Sequence, residues 1–182
     1  MSRALIVFES MYGNNQKVAE AIAQGLRAAA PQLAAEVIEV NDAPDSIPTD
    51  VALLLVGGPN HALGMTRPRD RQDAKKHIEA PLVSTGIGLR EWFDQLEQAP
   101  RSIPAAAWDT RIKKPGFMRG LDRASAGIEK RLRRRGFELA TSAEHFFVDG
   151  TTGPLADSEL GRARRWGEQL AATIPVRERA SS

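Results

Sequence analysis

The sequence predicts a three-layer, doubly wound α/β fold: a five-stranded parallel sheet with helices on both faces. Three observations predict it. Short apolar runs alternate with stretches of helical periodicity, the pattern that puts a crossover helix between parallel strands. The run Val51-Ala52-Leu53-Leu54-Leu55-Val56 is apolar throughout and stops at Gly57-Gly58-Pro59, as a central strand buried on both faces and ended by a tight turn would. Near the N-terminus, a strand-like run passes into a helix-like run through one short loop, Ser10-Met11-Tyr12-Gly13-Asn14-Asn15.

Taken in order, strand 1 is Arg3–Phe8, with the continuous apolar run Ala4-Leu5-Ile6-Val7-Phe8. The first helix runs from Asn14 to Ala30: Val18, Ile22 and Leu26 recur at helical spacing with alanines beside them, and Pro31 ends it. Strand 2, Glu36–Val40, alternates in polarity, as a strand with one more exposed face does. Asn41–Thr49 carries turn formers and room for one helical turn at most, and strand 3 begins at Val51. The long segment after strand 3 reads as loop over Asn60–Pro68, a short helix over Asp70–Ile78, loop over Glu79–Gly88, and a helix over Leu89–Gln98 with Trp92, Phe93 and Leu96 on one side. Strand 4 is Ser102–Trp108, followed by a basic loop, Asp109–Gly120. The next helix, Leu121–Arg135, has Ala124, Ile128 and Leu132 in register and Gly136 at its C-terminal cap. Phe137–Thr141 is strand 5, with a second extended piece at His145–Val148. The last helix spans Ser158–Ala172. One domain, residues 1–174, is expected, with a frayed tail at 175–182.

Composition narrows the function. Apolar residues make up 42% and charged residues 26% of 182 residues, a globular balance. No apolar run approaches the ~20 residues that span a bilayer, and Met1-Ser2-Arg3 leads directly into a strand, so a cytoplasmic chain is expected without a signal peptide or membrane contact. No cysteine is present, which excludes a disulfide framework and thiolate chemistry, and His61, His77 and His145 lack metal-ligand spacing. Net charge is +2, with dense positive blocks at Lys130–Arg135 and at Arg162, Arg164 and Arg165. Without aromatic or groove-reading residues nearby, these read as solvated helix faces and nucleic acid is not expected as a partner.

The Ser10–Asn15 loop joins the C-terminal end of a strand to the N-terminal end of a helix. Unpaired N–H groups and the positive end of the helix dipole make such a place receptive to an anion. A phosphate site and an ordinary turn capped by asparagine are both open on this loop alone. It is neither a P-loop, lacking Gly-Lys-Ser/Thr, nor a dinucleotide turn, having one glycine. In open parallel sheets, ligands bind beyond the carboxyl ends of the strands where strand order reverses. Three loops leave those ends: Ser10–Asn15, Gly58–Arg67 and Trp108–Gly120.

Phe8-Glu9-Ser10-Met11-Tyr12-Gly13-Asn14-Asn15 resembles the FMN phosphate loop of flavodoxins, usually Ser/Thr-x-Thr/Tyr-Gly-Asn-Thr, with Asn15 standing where the family has threonine. Val56-Gly57-Gly58-Pro59-Asn60-His61 is similar to the loop after strand 3 in flavodoxins and in related NAD(P)H:quinone oxidoreductases. The third loop departs: Trp108-Asp109-Thr110-Arg111 replaces the usual Gly-x-Gly-Asp, and the only tyrosine is Tyr12. The resemblance implies strand order 2-1-3-4-5 and FMN as cofactor. It implies that Ser10, Met11, Tyr12, Gly13, Asn14 and Asn15 hold the phosphate. Pro59, Asn60 and His61 would line one side of the isoalloxazine, with Trp108, Asp109 and Thr110 approaching from the other. From the residues alone, Trp108 is equally a core residue at a strand end, and His61 stacks, donates or is simply exposed.

The leading functional expectation is an FMN-binding flavodoxin-like protein in electron transfer, with no catalytic residue and no metal ligand. An FMN-dependent NAD(P)H:quinone-type oxidoreductase, and a flavodoxin-like binding module that has lost FMN, are the alternatives. Arg67, Arg69 and Arg71 beyond the second loop, and Arg111, Lys113 and Lys114 in the third, suggest a basic rim. Such a rim suits an acidic redox partner or the phosphates of NAD(P)H, unless it is scattered surface charge. Free electron carriers of this family are usually strongly acidic, and this chain is not.

Overall fold

The computed structural model describes residues 2–61, 64–79, 81–113 and 123–174. Its strands are β1 (Arg3–Phe8), β2 (Ala34–Glu39), β3 (Val51–Pro59), β4 (Pro104–Ile112), β5 (Glu138–Leu139) and β6 (Glu144–Val148). Its helices are α1 (Asn14–Ala29), α2 (Pro68–Ala74), α3 (Leu89–Gln95), α4 (Ala124–Arg134) and α5 (Glu159–Ala171), with a 3-10 turn at Val40–Asp42. The sheet order is β2-β1-β3-β4-β5, every strand pairing is parallel, and β6 also pairs with β4. The order therefore reverses between β1 and β3.

The fifth position of the sheet is shared by two short strands. β5 pairs with Pro104 and Ala105, and β6 pairs with Trp108–Ile112. From Pro104 to Trp108 the chain of β4 advances four residues while its neighbour advances six, from Glu138 to Glu144. The surplus forms a jog at Ala140–Ala143.

Strand alternation divides the core into two layers. On one face Ile6, Phe8, Leu55, Trp108 and Phe146 pack under Val18, Ile22 and Leu26 of α1 and Trp166 and Leu170 of α5. On the other, Leu5, Val7, Leu54, Val56 and Ala105 pack under Trp92 and Phe93 of α3 and Ile128 and Leu132 of α4. Helices α1 and α5 cross at glycines: a Cβ on Gly25 would lie 2.0 Å from the Arg164 carbonyl oxygen, and one on Gly167 2.2 Å from that of Ile22.

Several boundaries differ from the sequence reading. β4 does not end at Trp108 but continues to Ile112, so Asp109, Thr110 and Arg111 are strand rather than loop. The polar residues are tolerated because Asp109 and Arg111 pair with each other while both sides of the strand are hydrogen-bonded by β3 and β6. α2 starts earlier, at Pro68, where a proline costs no intrahelical bond, and Asp70 accepts from Arg67 N–H at 2.8 Å. Residues 114–120 of the third loop, the expected helix start at Leu121 and the tail 175–182 lie outside the described residues. No helix among the described residues is long and apolar enough to cross a membrane.

Candidate functional site

Beyond the carboxyl ends of β1, β3 and β4, at the reversal of strand order, lies a cleft of about 290 Å³. Ser10, Met11, Tyr12, Asn14 and Asn15 from the first loop line it. So do Pro59, Asn60 and His61 from the second, and Thr110, Arg111 and Ile112 from the end of β4. Val148 and Thr151, at and after the end of β6, complete the wall.

The first loop presents backbone rather than side chains. Gly13 precedes α1 with φ of 82°, the left-handed region, and a Cβ there would meet nothing within 4 Å. No side chain caps α1 and its first turn holds no acidic residue. Among the described residues, none accepts from the backbone N–H of Met11, Tyr12, Gly13, Asn14 or Asn15. The positive end of a sixteen-residue helix thus opens with free donors onto the cleft.

The two asparagines face inward instead. Asn15 is buried, and its amide donates to Thr110 Oγ1 at 2.8 Å and accepts from the Trp108 indole N–H at 3.0 Å. Asn14 donates to the Thr152 carbonyl at 3.1 Å. Both amides tie the loop to its surroundings, leaving the anion-facing role to the backbone.

A brace holds the loop from outside. Ser10 N–H donates to Ser84 Oγ at 2.9 Å, while Ser84 N–H and Val83 N–H donate back to the carbonyls of Ser10 and Met11 at 2.8 and 3.1 Å. Met11, Ala74 and Leu82 form a small apolar cluster with Tyr12 and Ile78 against it. Directly before Ser10, the buried Glu9 carboxylate accepts from Leu89 N–H at 2.9 Å and from the Thr66 hydroxyl, with Arg71 Nη1 at 3.8 Å. Burial pushes the Glu9 carboxyl up, and these partners only partly offset it.

Trp108 and Asp109, expected to approach a ligand, stand behind the cleft. Neither lines the cleft; both are wholly buried. Trp108 belongs to the core layer under α1, its ring against Gly57, where a Cβ would lie 1.9 Å from the indole. Asp109 points to the other side, held by Arg111 Nε at 2.7 Å, by Arg111 Nη2 and by Ser125 N–H at 3.1 Å. His145 Nδ1 stands 3.2 Å from Asp109 Oδ1 and 2.9 Å from Arg111 Nη2. Protonated there it donates to Asp109; unprotonated it accepts from Arg111. Burial raises the Asp109 carboxyl, but His145 and Arg111 outweigh it and hold it below the usual range.

Arg111, expected on an outer rim, forms part of the cleft wall and is nearly buried. Its sequence signal is the alternation Asp109-Thr110-Arg111, which puts the two charges on one face of a strand and Thr110 on the other. His61 sits at the mouth, its N–H and carbonyl paired with Gly64, with Nε2 3.6 Å from Asp70 Oδ1. Asn60 N–H donates to the Thr110 carbonyl at 2.8 Å, so the second loop is pinned to the end of β4. The roles of Val148, Thr151 and Ser84 had no local signal, since each comes to the cleft by chain topology.

No family model matches the chain, and no curated protein matches it by sequence. Solved structures do. A short-chain flavodoxin associated with a bacterial microcompartment superposes with TM-score 0.65 at 14% identity, covering 96% of this chain and 100% of that one. The flavodoxin of Streptococcus pneumonia gives 0.63 at 16% identity, covering 95% and 100%. A cysteine-to-serine mutant of a flavodoxin from Pseudomonas aeruginosa gives 0.62 at 15% identity, covering 94% and 98%. The fold is flavodoxin-like.

Proposed function

We propose that this chain binds FMN in the cleft at the β1–β3 reversal and acts in electron transfer. The observation that carries the reading is the uncapped N-terminus of α1, opening with free N–H groups onto a cleft walled by the ends of three parallel strands. FMN, when bound, supplies the electron chemistry, which the side chains of this cleft do not. The backbone of Met11–Asn15 would take its phosphate, with Ser10 beside it. Pro59, Asn60, His61 and Thr110 would border the ring system, and Asn15, Trp108 and Asp109 support those walls from behind. The free donors at Met11–Asn15 fit a phosphate.

A second reading, an FMN-dependent NAD(P)H:quinone-type oxidoreductase, is favoured by Arg111 in the wall, whose guanidinium, paired with Asp109, would attract an anionic substrate to the cleft. The third, a binding module without flavin, is what the inward-turned Asn14 and Asn15 would mean if the backbone donors alone did not suffice.

The test is a titration of the purified chain with FMN, followed by quenching of flavin fluorescence and retention of the visible band after desalting. Stoichiometric retention is expected, with Gly13→Ala and Ser10→Ala each weakening affinity about tenfold. No retained flavin, or variants that titrate like the parent, overturns the reading. Oxidation of NADPH or NADH with a quinone by the loaded protein then separates carrier from enzyme.

A further inference from the structure

A band of arginines runs from the mouth of the cleft along the groove between α3 and α4. It starts at the second loop. Arg90, on α3, reaches across it: Nε and Nη2 donate to the Met65 carbonyl at 3.0 and 2.9 Å, and Nε also to that of Thr66 at 2.9 Å. The Met65 sulfur packs against Gly127 of α4, 3.3 Å from where a Cβ would stand. One turn on, Arg131 Nη1 donates to the Gly127 carbonyl at 3.5 Å. Arg90 and Arg131 therefore flank the same methionine, and the exposed Arg67 follows it by two residues in the chain. Next to Met65 is Gly64, paired with the cleft residue His61.

The band continues away from the cleft. Arg131, Arg134 and Arg135 line a groove of about 240 Å³ with Phe93, Asp94 and Gln98. Arg135 is fixed there, donating to the Phe93 carbonyl at 3.1 and 2.7 Å and to that of Asp94 at 3.1 Å. Compensation is sparse. Among the described residues, Asp94 is the one carboxylate lining the groove, and the neighbouring Glu91 is committed to Arg71 at 3.0 Å and to Gly88 N–H at 2.9 Å. The guanidiniums feel one another: burial first, then the charges of Arg131 and Arg67, lower Arg90 from its ordinary value, outweighing the opposing charges of Glu91 and Asp70. Like charges held within a Debye length of ~8–10 Å repel unless an anion lies over them.

The geometry points to a docking surface: the band Arg67–Arg90–Arg131–Arg134–Arg135 receives an acidic face of a redox partner protein, beside the mouth of the FMN cleft. This rests on the electron-transfer reading above. An extended protein face suits it better than a single phosphate, because the cations are spread over the start of α2, α3 and the last turn of α4 rather than convergent on one point. Nucleic acid is disfavoured because the aromatic ring in the groove, Phe93, is buried and offers no stacking platform. Complementary charge would speed encounter and orient the partner with the cleft mouth toward it.

The experiment uses the full chain, loaded with FMN and followed by flavin absorbance, with fluorescent poly-L-glutamate as the probe. Binding is expected at low salt and is lost as salt rises. R131Q/R134Q weakens it at least tenfold, and K17Q, on α1 under the opposite face of the sheet, leaves it unchanged. Flavin absorbance should be the same in all three proteins. No binding at low salt, or equal weakening by K17Q, overturns the proposal. An oligo-dT strand or pyrophosphate binding more tightly than poly-L-glutamate at the same sites also overturns it, in favour of nucleic acid or a small phosphate ligand. If poly-L-glutamate binds as expected but FMN does not, the acidic docking surface stands and the flavin reading alone fails.

Discussion

Glu9 and Asp109, both buried, bracket the cleft, and they titrate in opposite senses. Asp109 is held below its ordinary value of 3.8 despite burial. Its stabilisation is therefore complete above that pH and is lost as pH falls through the lower folded value. Glu9 is raised above 4.5, with burial the main cause. Its contribution is complete below that pH and declines as pH rises toward the higher folded value. Urea unfolding across this range should separate them. Asp109→Asn leaves Arg111 buried without its carboxylate and should cost about 3–5 kcal/mol at pH 7, the deficit narrowing below about pH 4. Glu9→Gln should gain relative to the parent as pH rises from about 4.5 to 7. Gly13 makes a different residue-scale prediction. Space is open around its Cβ position, so alanine meets only the left-handed backbone penalty, about 1–2 kcal/mol. That loss should appear in the same unfolding measurement together with weaker FMN binding, because the strained residue sits where the phosphate would.

At the scale of elements, the first loop is shaped less by its own strand and helix than by the connection that returns over it. Ser84 accepts from Ser10 N–H at 2.9 Å and donates to Glu39, so one hydroxyl links the connection to the ends of β1 and β2. Ser84→Ala leaves that buried N–H unpaired and should cost about 1–3 kcal/mol by chemical denaturation, with faster hydrogen exchange confined to residues 9–12. The elements themselves were largely legible. β1, α1 and β3 follow from the apolar runs and the spacing of Val18, Ile22 and Leu26, because a strand or helix buried in a layer writes its period into its own residues. The end of β4 was not legible. Asp109 and Arg111 look like loop residues until their partners are known, and those partners, His145 and Ser125, come from later elements. Likewise Asn15 reads as a phosphate ligand from its place in the motif. Its amide is spent on Trp108 and Thr110, more than ninety residues away in the chain. Local pattern reveals which backbone bounds the cleft; it does not reveal which side chains turn into it.

For the molecule as a whole, a bound FMN acts on the native state only. At a concentration one hundred times Kd it should add about 2.7 kcal/mol, raising the thermal midpoint by about 5–10 °C for a chain of this size. Calorimetry with and without FMN checks this, and an unchanged midpoint at saturating FMN would contradict binding to the folded chain. The divided fifth strand has a consequence of another kind. A straight outer strand would leave a continuous row of N–H and C=O groups on which a second chain could add itself as a further strand. Here that margin is two residues of β5, a jog at Ala140–Ala143, and five residues of β6 on a shifted register. The interrupted margin offers no long template for self-association. It leaves β5 short and weakly paired, so that on this side of the sheet the backbone groups open to a further strand are few and broken, in contrast to the continuous six-residue edge of β2.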